Sequence, residues 1–412
     1  MRTRSTRRRK PLGDVKSDPQ TGLPTDSCAD FQRRPASDSS REANKVRLIS
    51  LDAFRGLTIA LMILVNNHGD TGTVYSPLSH VDWNGWTPAD AVFPCFLFIV
   101  GVSLVFSFAG RQETPLSSAR HAVRVLRRTI ILFALGLFVN TYPAFDLSTM
   151  RIPGVLQRIA ICYLAASLIV LKAGTRGRIL WLIGLLVSYC LMMLFIPVPG
   201  LGAGVLEPGQ NFAAWVDSLL LKGHMWSYYD GKWDPEGIIS TIPAIATTLF
   251  GVLAGQLLRS SLPDRTKAAR MICAGLILLV AGYTLSGWLP INKSLWTSTF
   301  SIFMAGLALM CLAFFHSLID IADLSKWAKP LIILGLNPIA IYVMSIVLDT
   351  TLRSMNLAVS EGSPNCPFYL FRTLCLPVAT PEIVSLIYGS SNLICMFAVA
   401  WILWRRRIFI KV

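Results

Sequence analysis

Ten segments of about twenty mostly apolar residues recur along this 412-residue chain, and they limit its fold more than any other feature. A helix needs about 20 such residues to cross the hydrocarbon core of a bilayer. Hydrophobic residues make up 53% of the chain and charged residues 15%, a balance that a water-soluble protein could not bury. The sequence therefore predicts an all-α integral membrane protein, a bundle of about ten transmembrane helices. The predicted spans are 49–67, 88–108, 127–145, 153–172, 178–197, 238–258, 269–289, 296–316, 331–352 and 381–404.

The basic residues indicate how these spans are oriented. The formal charge is +15, but it lies in short clusters between apolar segments and not on a soluble domain, which argues against nucleic-acid binding. Of the 38 lysines and arginines, 30 lie in the two terminal segments and in alternate connectors, six lie in the other connectors, and two lie within spans. Lysine and arginine accumulate on the cytoplasmic side of a membrane. Both termini are therefore predicted to be cytoplasmic, in a multi-pass protein of the inner (cytoplasmic) membrane.

Composition divides the chain into two regions. Residues 1–48 are polar, basic and rich in serine and proline, which predicts a disordered cytoplasmic tail. Residues 49–412 contain the predicted spans and form the predicted transmembrane domain. The nine cysteines show no spacing typical of a metal site, and no metal is expected. Cys366 and Cys375 share one connector, so a disulfide between them is one alternative if that connector is extracytoplasmic.

Ionisable side chains within the spans are candidates for a functional site, because hydrocarbon makes them expensive. Asp52 and Arg55 are three residues apart on one helical face, so they form either a structural ion pair or part of a ligand site. Arg158, in the fourth span, needs an anion, which is either a carboxylate of the bundle or a bound phosphate.

Polar residues at the ends of spans leave similar alternatives. Asn66, at the end of the first span, is a helix cap, an interhelical hydrogen-bond partner or a functional amide. Asp234 and Glu236 precede the sixth span, where acidic residues favour the start of a helix. The connector before them is rich in tryptophan and tyrosine, a composition typical both of a sugar-binding surface and of a membrane interface.

His80 lies in the connector "YSPLSHVDWNGWTPAD", which leads into the second span and is predicted to be extracytoplasmic. No lysine or arginine lies near it in the sequence, so we expect no positive charge beside the ring. A neutral imidazole can act as a base or nucleophile near pH 7, and either Asp82 or Asp90 would orient it. An ordinary surface histidine is the simpler interpretation, and His68 competes with His80 as the functional imidazole.

Several longer motifs resemble one enzyme family. They include "SLDAFRGLTIALMILVNN", "LSHVDWNGWTPADAVFPCFLFIVG", "RIPGVLQRI", "DPEGIISTI", "INKSLWTSTF" and "GLNPIAIYV". From about residue 47 onward, the chain resembles the heparan-α-glucosaminide N-acetyltransferase family and its bacterial relatives. The resemblance implies that an acetyl group passes from cytoplasmic acetyl-CoA, a co-substrate, to the amine of an amino sugar or glycan on the other side of the membrane. It also implies that His80 is the active-site histidine and that Asn66 and Asp90 match further family positions.

These assignments define a candidate site. His80 would deprotonate the amine or carry the acetyl group, and Asn66 would donate a hydrogen bond to the thioester oxygen. Arginines would bind the phosphates of CoA from the cytoplasmic side. The candidates for phosphate binding are Arg55, Arg158 and the cluster of Arg124, Arg127 and Arg128. The candidates for acceptor binding are Trp83, Asn84, Asp234 and Glu236.

Two other functions remain open on the sequence. Buried polar residues in ten spans are equally compatible with a transporter of amino sugars, although we find no internal repeat of the kind that transporters often contain. A non-catalytic membrane scaffold is disfavoured by the cost of so many polar groups in the membrane. The sequence does not specify the acceptor, the acyl chain or the oligomeric state. A homodimer is one alternative.

The charge distribution leads to a test of orientation. A reporter inserted near residue 30 and one fused after Val412 are expected to report a cytoplasmic location, and one inserted at 210–215 an extracytoplasmic location. The measurement is a set of paired alkaline phosphatase and green fluorescent protein fusions. A cytoplasmic signal at 210–215 would contradict the predicted position of the acceptor site.

Overall fold

The computed structural model describes residues 48–68, 74–108, 115–355, 371, 375 and 379–410. Nearly all of the predicted tail and Cys366 lie outside these residues, so the tail and the disulfide stay predictions. The described residues contain twelve α-helices and no β-strand. In chain order the helices are α1 (Ile49–Asn66), α2 (Pro88–Phe108), α3 (Pro115–Thr141), α4 (Val155–Lys172), α5 (Thr175–Phe195), α6 (Phe212–Leu220), α7 (Thr241–Arg259), α8 (Asp264–Leu285), α9 (Ser298–Phe315), α10 (Lys329–Gly335), α11 (Pro338–Ser354) and α12 (Pro381–Arg405).

The apolar helices confirm the prediction of a multi-span membrane bundle. Among the described residues, eight helices are long and apolar enough to cross a membrane, namely α1, α2, α4, α5, α7, α8, α9 and α12. Helix α9 continues through a π-helical turn, His316–Ile321. The predicted span 127–145 lies mostly within α3, which is not among the eight and contains four arginines, Arg120, Arg124, Arg127 and Arg128.

The predicted span 331–352 is not one continuous helix. Helices α10 and α11 meet at an angle of 71°, and they count as a ninth span only if the bent pair crosses as one unit. Pro338 has no N–H to donate and disfavours helical geometry at the residue before it, so the helix breaks there. The Asn337 side chain donates to Ile408 O (3.1 Å) and accepts from Ile410 N (2.7 Å). These bonds hold the break against the segment that follows α12.

Helices α2 and α7 approach each other closely at glycines. A Cβ atom added at Gly251 would lie 1.9 Å from Phe98 O, and one added at Gly255 would lie 3.0 Å from Val102 O. Small residues at such contacts let the backbones of two membrane helices meet. The residue numbers of the two helices rise together along the contact. The helices therefore run parallel, and their N-termini lie at the same end of the bundle.

Connectors gather at this shared end. The connector 74–87 meets the connector 286–297 through a hydrogen bond from Gly85 N to Ile291 O (2.7 Å). The connector 142–154 meets the connector 221–240 through a hydrogen bond from Ile152 N to His224 O (2.9 Å). We call these four connectors, together with the first turns of α2, α4, α7 and α9 that follow them, the His80 end.

The α2–α7 contact leads to a stability prediction. Gly251→Ala is expected to destabilise the protein by about 1–3 kcal/mol, because the new methyl group overlaps a backbone oxygen and the helices must separate. The measurement is thermal unfolding of the purified protein in detergent. The matched control is Gly184→Ala in α5, where an added Cβ meets no atom within 4 Å. Equal unfolding temperatures for the two variants would contradict the close contact.

Candidate active site

A buried carboxylate organises the start of α2. Threonine before the first helical residue and proline as that residue are both favoured at helix N-termini, and the sequence here is Thr87-Pro88-Ala89-Asp90. Asp90 Oδ2 accepts hydrogen bonds from Thr87 N (2.9 Å) and Thr87 Oγ1 (3.0 Å), and Asp90 N donates to Thr87 O (3.0 Å). Oδ2 also accepts from Val81 N (3.2 Å). The carboxylate is completely buried, and the helix start and the connector fix its position together.

The other oxygen of Asp90 contacts His80. Asp90 Oδ1 lies 2.8 Å from His80 Nδ1, and the histidine side chain is 43% exposed, so the pair reaches the surface of the His80 end. Asp82, the other candidate partner, is exposed and has no described contact with His80. A carboxylate at Nδ1 fixes the orientation of the imidazole and favours a proton on Nδ1, which leaves the Nε2 lone pair for a substrate.

Sequence reasoning missed Lys293, which lies in the connector 286–297. Its Nζ lies 2.8 Å from His80 Nδ1, 3.2 Å from His80 Nε2 and 3.1 Å from Asp90 Oδ1. The expectation of no positive charge beside the ring is therefore wrong. The fold brings in a residue 213 positions away in the sequence. The sequence signal was the motif "INKSLWTSTF", which carries this lysine just before α9.

The connector that carries Lys293 is itself fixed. Asn292 is buried, and its side chain donates to Asn84 Oδ1 (3.2 Å) in the His80 connector. Burial lowers the pKa of the Lys293 ammonium, whereas the carboxylates of Asp90 and Glu236 act in the opposite direction. Lys293 is thus held beside the imidazole by a connector that is hydrogen-bonded to the connector of His80.

Asp234 and Glu236 bind Arg151 from the connector 142–154. Arg151 Nη2 and Nε donate to the two oxygens of Asp234 (2.6 and 2.8 Å), and Nη2 also donates to Glu236 Oε2. The interpretation of the two acids as a helix start is wrong, since α7 begins only at Thr241. Burial by itself would raise the pKa of the Glu236 carboxyl, but Arg151 beside it holds that pKa below its usual range. Both carboxylates, predicted to bind the acceptor, are therefore engaged with a guanidinium.

Arg158 lies at the His80 end. Its side chain is 1% exposed, and Nη2 donates to Pro235 O (2.7 Å) and to Ser240 Oγ. The guanidinium lies over the ring of Trp296, 5.0 Å from the ring centroid. Among the described residues no carboxylate hydrogen-bonds to it directly. Its hydrogen-bond acceptors are backbone and hydroxyl oxygens, whereas the sequence predicted an anion.

Arg55 lies farther along the bundle. Its predicted ion pair with Asp52 is confirmed, with Nη1 3.0 Å from Oδ1, and Nη2 donates to Ser103 Oγ (2.7 Å). Ser103 lies thirteen positions after Asp90 in α2, which corresponds to about 20 Å along a helix. The arginines predicted to bind one ligand are therefore divided, with Arg158 near His80 and Arg55 remote from it.

Two of the three arginines of the α3 cluster, Arg127 and Arg128, differ in their surroundings. Arg127 is exposed. Arg128 is half-buried and lies over the ring of Tyr163, 4.6 Å from the centroid. Tyr163 lies two turns into α4, so this pair also sits away from the His80 end.

Asn66 and His68 lie at the end of α1. Asn66 is exposed and has no described contact with His80. The next residue, Asn67, is buried, and its side-chain nitrogen has no hydrogen-bond partner among the described residues. His68 Nδ1 lies 2.6 Å from Val65 O, and burial lowers the pKa of the His68 ring. The structure therefore joins neither Asn66 nor His68 to His80 by a direct hydrogen bond.

Aromatic rings extend away from the His80 connector. Trp83 contacts Trp233 edge to face, with centroids 5.1 Å apart, and Trp233 stacks on Tyr229 at 3.9 Å. Tyr229 contacts Tyr228 (5.0 Å), whose side chain is 67% exposed. We call Trp83, Trp233, Tyr229 and Tyr228 the aromatic series. It forms a continuous path from the His80 connector to the surface.

Comparison with known proteins gives one family. The family model described as "Heparan-alpha-glucosaminide N-acetyltransferase, catalytic" matches residues 47–267. A protein named heparan-alpha-glucosaminide N-acetyltransferase from Mus musculus is 30% identical in an alignment of 366 residues that covers 75% of this chain and 55% of that protein. The protein of the same name from Homo sapiens is 28% identical in an alignment of 352 residues that covers 72% of this chain and 52% of that protein.

The matched region includes most of the site. His80, Asp90, Arg151, Arg158 and the two acids before α7 all lie within residues 47–267, whereas Lys293 lies beyond them. The chain spans about half the length of the curated relatives that it matches. Because the family model covers more than half of the chain, this protein belongs to the heparan-alpha-glucosaminide N-acetyltransferase family.

Proposed function

We propose that this protein is a membrane-embedded acyltransferase that moves an acetyl group from acetyl-CoA to the amine of an amino sugar. The contact between His80 Nδ1 and Asp90 Oδ1 carries the proposal, since it places an oriented imidazole at the surface of one end of the bundle. Membership of a family whose relatives are named for acetyl transfer to a glucosaminide supports it.

The chemistry follows from the orientation of the ring. Asp90 accepts a hydrogen bond from the Nδ1–H group of His80, so Nε2 presents its lone pair to the substrate. A thioester is already activated, so the site needs only to help the amine attack. As the amine nitrogen bonds to the acyl carbon, Nε2 takes its proton. The thiolate of CoA then leaves and receives that proton from the imidazolium.

The donor, acetyl-CoA, is proposed to bind along the length of the helix bundle. The charge distribution of the sequence favours a cytoplasmic position for the first turns of α1, where Arg55 lies. Arg127 is exposed on α3 and is able to meet a phosphate group. Since about 20 Å of helix separates Ser103 beside Arg55 from Asp90, the pantetheine arm of CoA must extend toward His80. Arg158, at the His80 end, is not part of this phosphate site.

The aromatic series supports a sugar acceptor. Its outer ring, Tyr228, neighbours Asp230 and Lys232, whose charged side chains are paired and strongly exposed. Charged groups of this kind indicate that the outer end of the series lies in water and not in hydrocarbon. A flat exposed ring with hydrogen-bonding neighbours suits the apolar face and the hydroxyl groups of a sugar. We therefore place the acceptor between Tyr228 and His80.

A direct assay tests this function. Purified protein is incubated with labelled acetyl-CoA and a panel of amino sugars, and labelled N-acetyl sugar is measured. Transfer to at least one sugar supports the proposal. No transfer, together with sugar uptake into proteoliposomes, would support a transporter instead.

The two histidines near the site give a matched test. His80→Ala is expected to lower acetyl transfer by about 10²-fold or more, because the base at the reacting nitrogen is lost. His68→Ala is the control, because its ring contacts the backbone of its own helix end and makes no hydrogen bond to His80. Initial rates and acetyl-CoA binding are measured for both variants. Loss of transfer in His68→Ala with full transfer in His80→Ala would contradict the assignment.

A further inference from the structure

The position of Lys293 relative to the His80 ring is unusual. Its Nζ lies close to both ring nitrogens, at 2.8 Å and 3.2 Å. Those two nitrogens flank a single ring carbon. An ammonium so close to both cannot lie in the plane of the ring without overlapping that carbon, so it lies over the ring face. It therefore leaves the in-plane direction of Nδ1 to Asp90 and that of Nε2 to a substrate.

The ammonium also keeps hydrogen-bonding capacity. A lysine ammonium has three N–H donors, and Asp90 Oδ1, 3.1 Å away, accepts one of them. An ammonium over the ring face is poorly placed to donate a hydrogen bond to a ring nitrogen, because the lone pair of an imidazole nitrogen lies in the plane of the ring. Besides Asp90 Oδ1, the polar atoms of the described residues within hydrogen-bonding distance of Nζ are the two ring nitrogens of His80. The lysine side chain is 19% exposed. At least one N–H group is therefore available to an oxygen atom of a ligand bound at His80.

We propose that Lys293 is a catalytic residue, whose ammonium stabilises the negative charge that develops on the acyl oxygen during transfer. The inference rests on the proposed function. When the amine attacks the thioester, the carbon–nitrogen bond forms and the electron pair of the carbonyl π bond moves to the oxygen, beside Lys293. His80 Nε2 takes the amine proton. The carbonyl then re-forms, the carbon–sulfur bond breaks, and the thiolate takes the proton from Nε2.

The geometry favours Lys293 for this role over the residue expected from the sequence. An amine that donates its proton to Nε2 lies next to that atom, and the acyl oxygen is two bonds farther on. Lys293 Nζ, 3.2 Å from Nε2, lies in the same neighbourhood. Asn66, the predicted oxyanion donor, is exposed and has no described contact with His80. A cation held in place before the reaction is well suited to stabilise a developing oxyanion.

The alternative is that Lys293 only neutralises the buried carboxylate of Asp90. The two roles differ in what a neutral substitution changes. A purely structural lysine would affect the folded fraction, thermal stability or substrate binding. A group that binds the oxyanion affects kcat and leaves the binding of both substrates nearly unchanged.

The experiment compares Lys293→Met, Lys293→Gln and Lys222→Met with the wild type. Lys222 is the control, because it is an exposed lysine of the connector 221–240 that lies outside the aromatic series. We measure thermal unfolding, kcat, KM for acetyl-CoA and for the amino sugar, and binding of a thioether analogue of acetyl-CoA that has no carbonyl oxygen. Lys293→Met is expected to lower kcat by about 10²–10³-fold, with little change in KM or in thioether binding. Lys222→Met is expected to match the wild type.

Lys293→Gln keeps the test decisive if the methionine variant does not fold. It retains a polar side chain of similar length but no charge, and the same loss of kcat is expected. Normal kcat in a folded Lys293→Gln variant, or a loss confined to KM or to the folded fraction, overturns the inference. If the wild type transfers no acetyl group to any amino sugar, the proposed function itself fails. If the wild type and the Lys293 variants transfer equally well, only the role of Lys293 fails.

Discussion

The buried carboxylate of Asp90 is the interaction on which the His80 end depends. A carboxylate removed from water is costly unless hydrogen bonds and positive charge compensate it. One oxygen of Asp90 accepts from the backbone and side chain of Thr87 at the start of α2, where the helix dipole also favours negative charge. The other oxygen lies against His80 and Lys293. A single group thus joins a helix start, an imidazole and a cation from another connector.

The remaining charges of this end follow the same rule. Buried ions are stable only with partners, and removing one member of a pair leaves the other unmatched. Three cations lie among four carboxylates here, contributed by α6 and by segments at the start of four other helices. Glu236 links Arg151 to the group around His80, because it binds Arg151 and its charge also acts on the Lys293 ammonium. The cations are Arg151, Arg158 and Lys293, and the carboxylates are those of Asp90, Asp217, Asp234 and Glu236.

Much of the fold was predictable because helices in a membrane satisfy their own hydrogen bonds, so local length and hydropathy determine them. The contact of His80 with Asp90 was predictable for a similar reason, because the two residues are ten positions apart around one helix start. Lys293 was not predictable, because its place depends on how α9 packs against α2. The break before Pro338 was missed because the residues on both sides of Asn337 and Pro338 are apolar, although the proline itself is a local signal.

The separation between Arg55 and His80 adds one further constraint on the proposed reaction. The Asp52–Arg55 pair is hydrogen-bonded to Ser103, about 20 Å along α2 from the dyad of His80 and Asp90. The dyad is partly open to the surface. Asp90 and Ser103 lie on one continuous helix, so the helix itself fixes the distance between them. If acetyl-CoA is the donor and its phosphates bind near Arg55, the acetyl group must therefore reach His80 on an extended carrier.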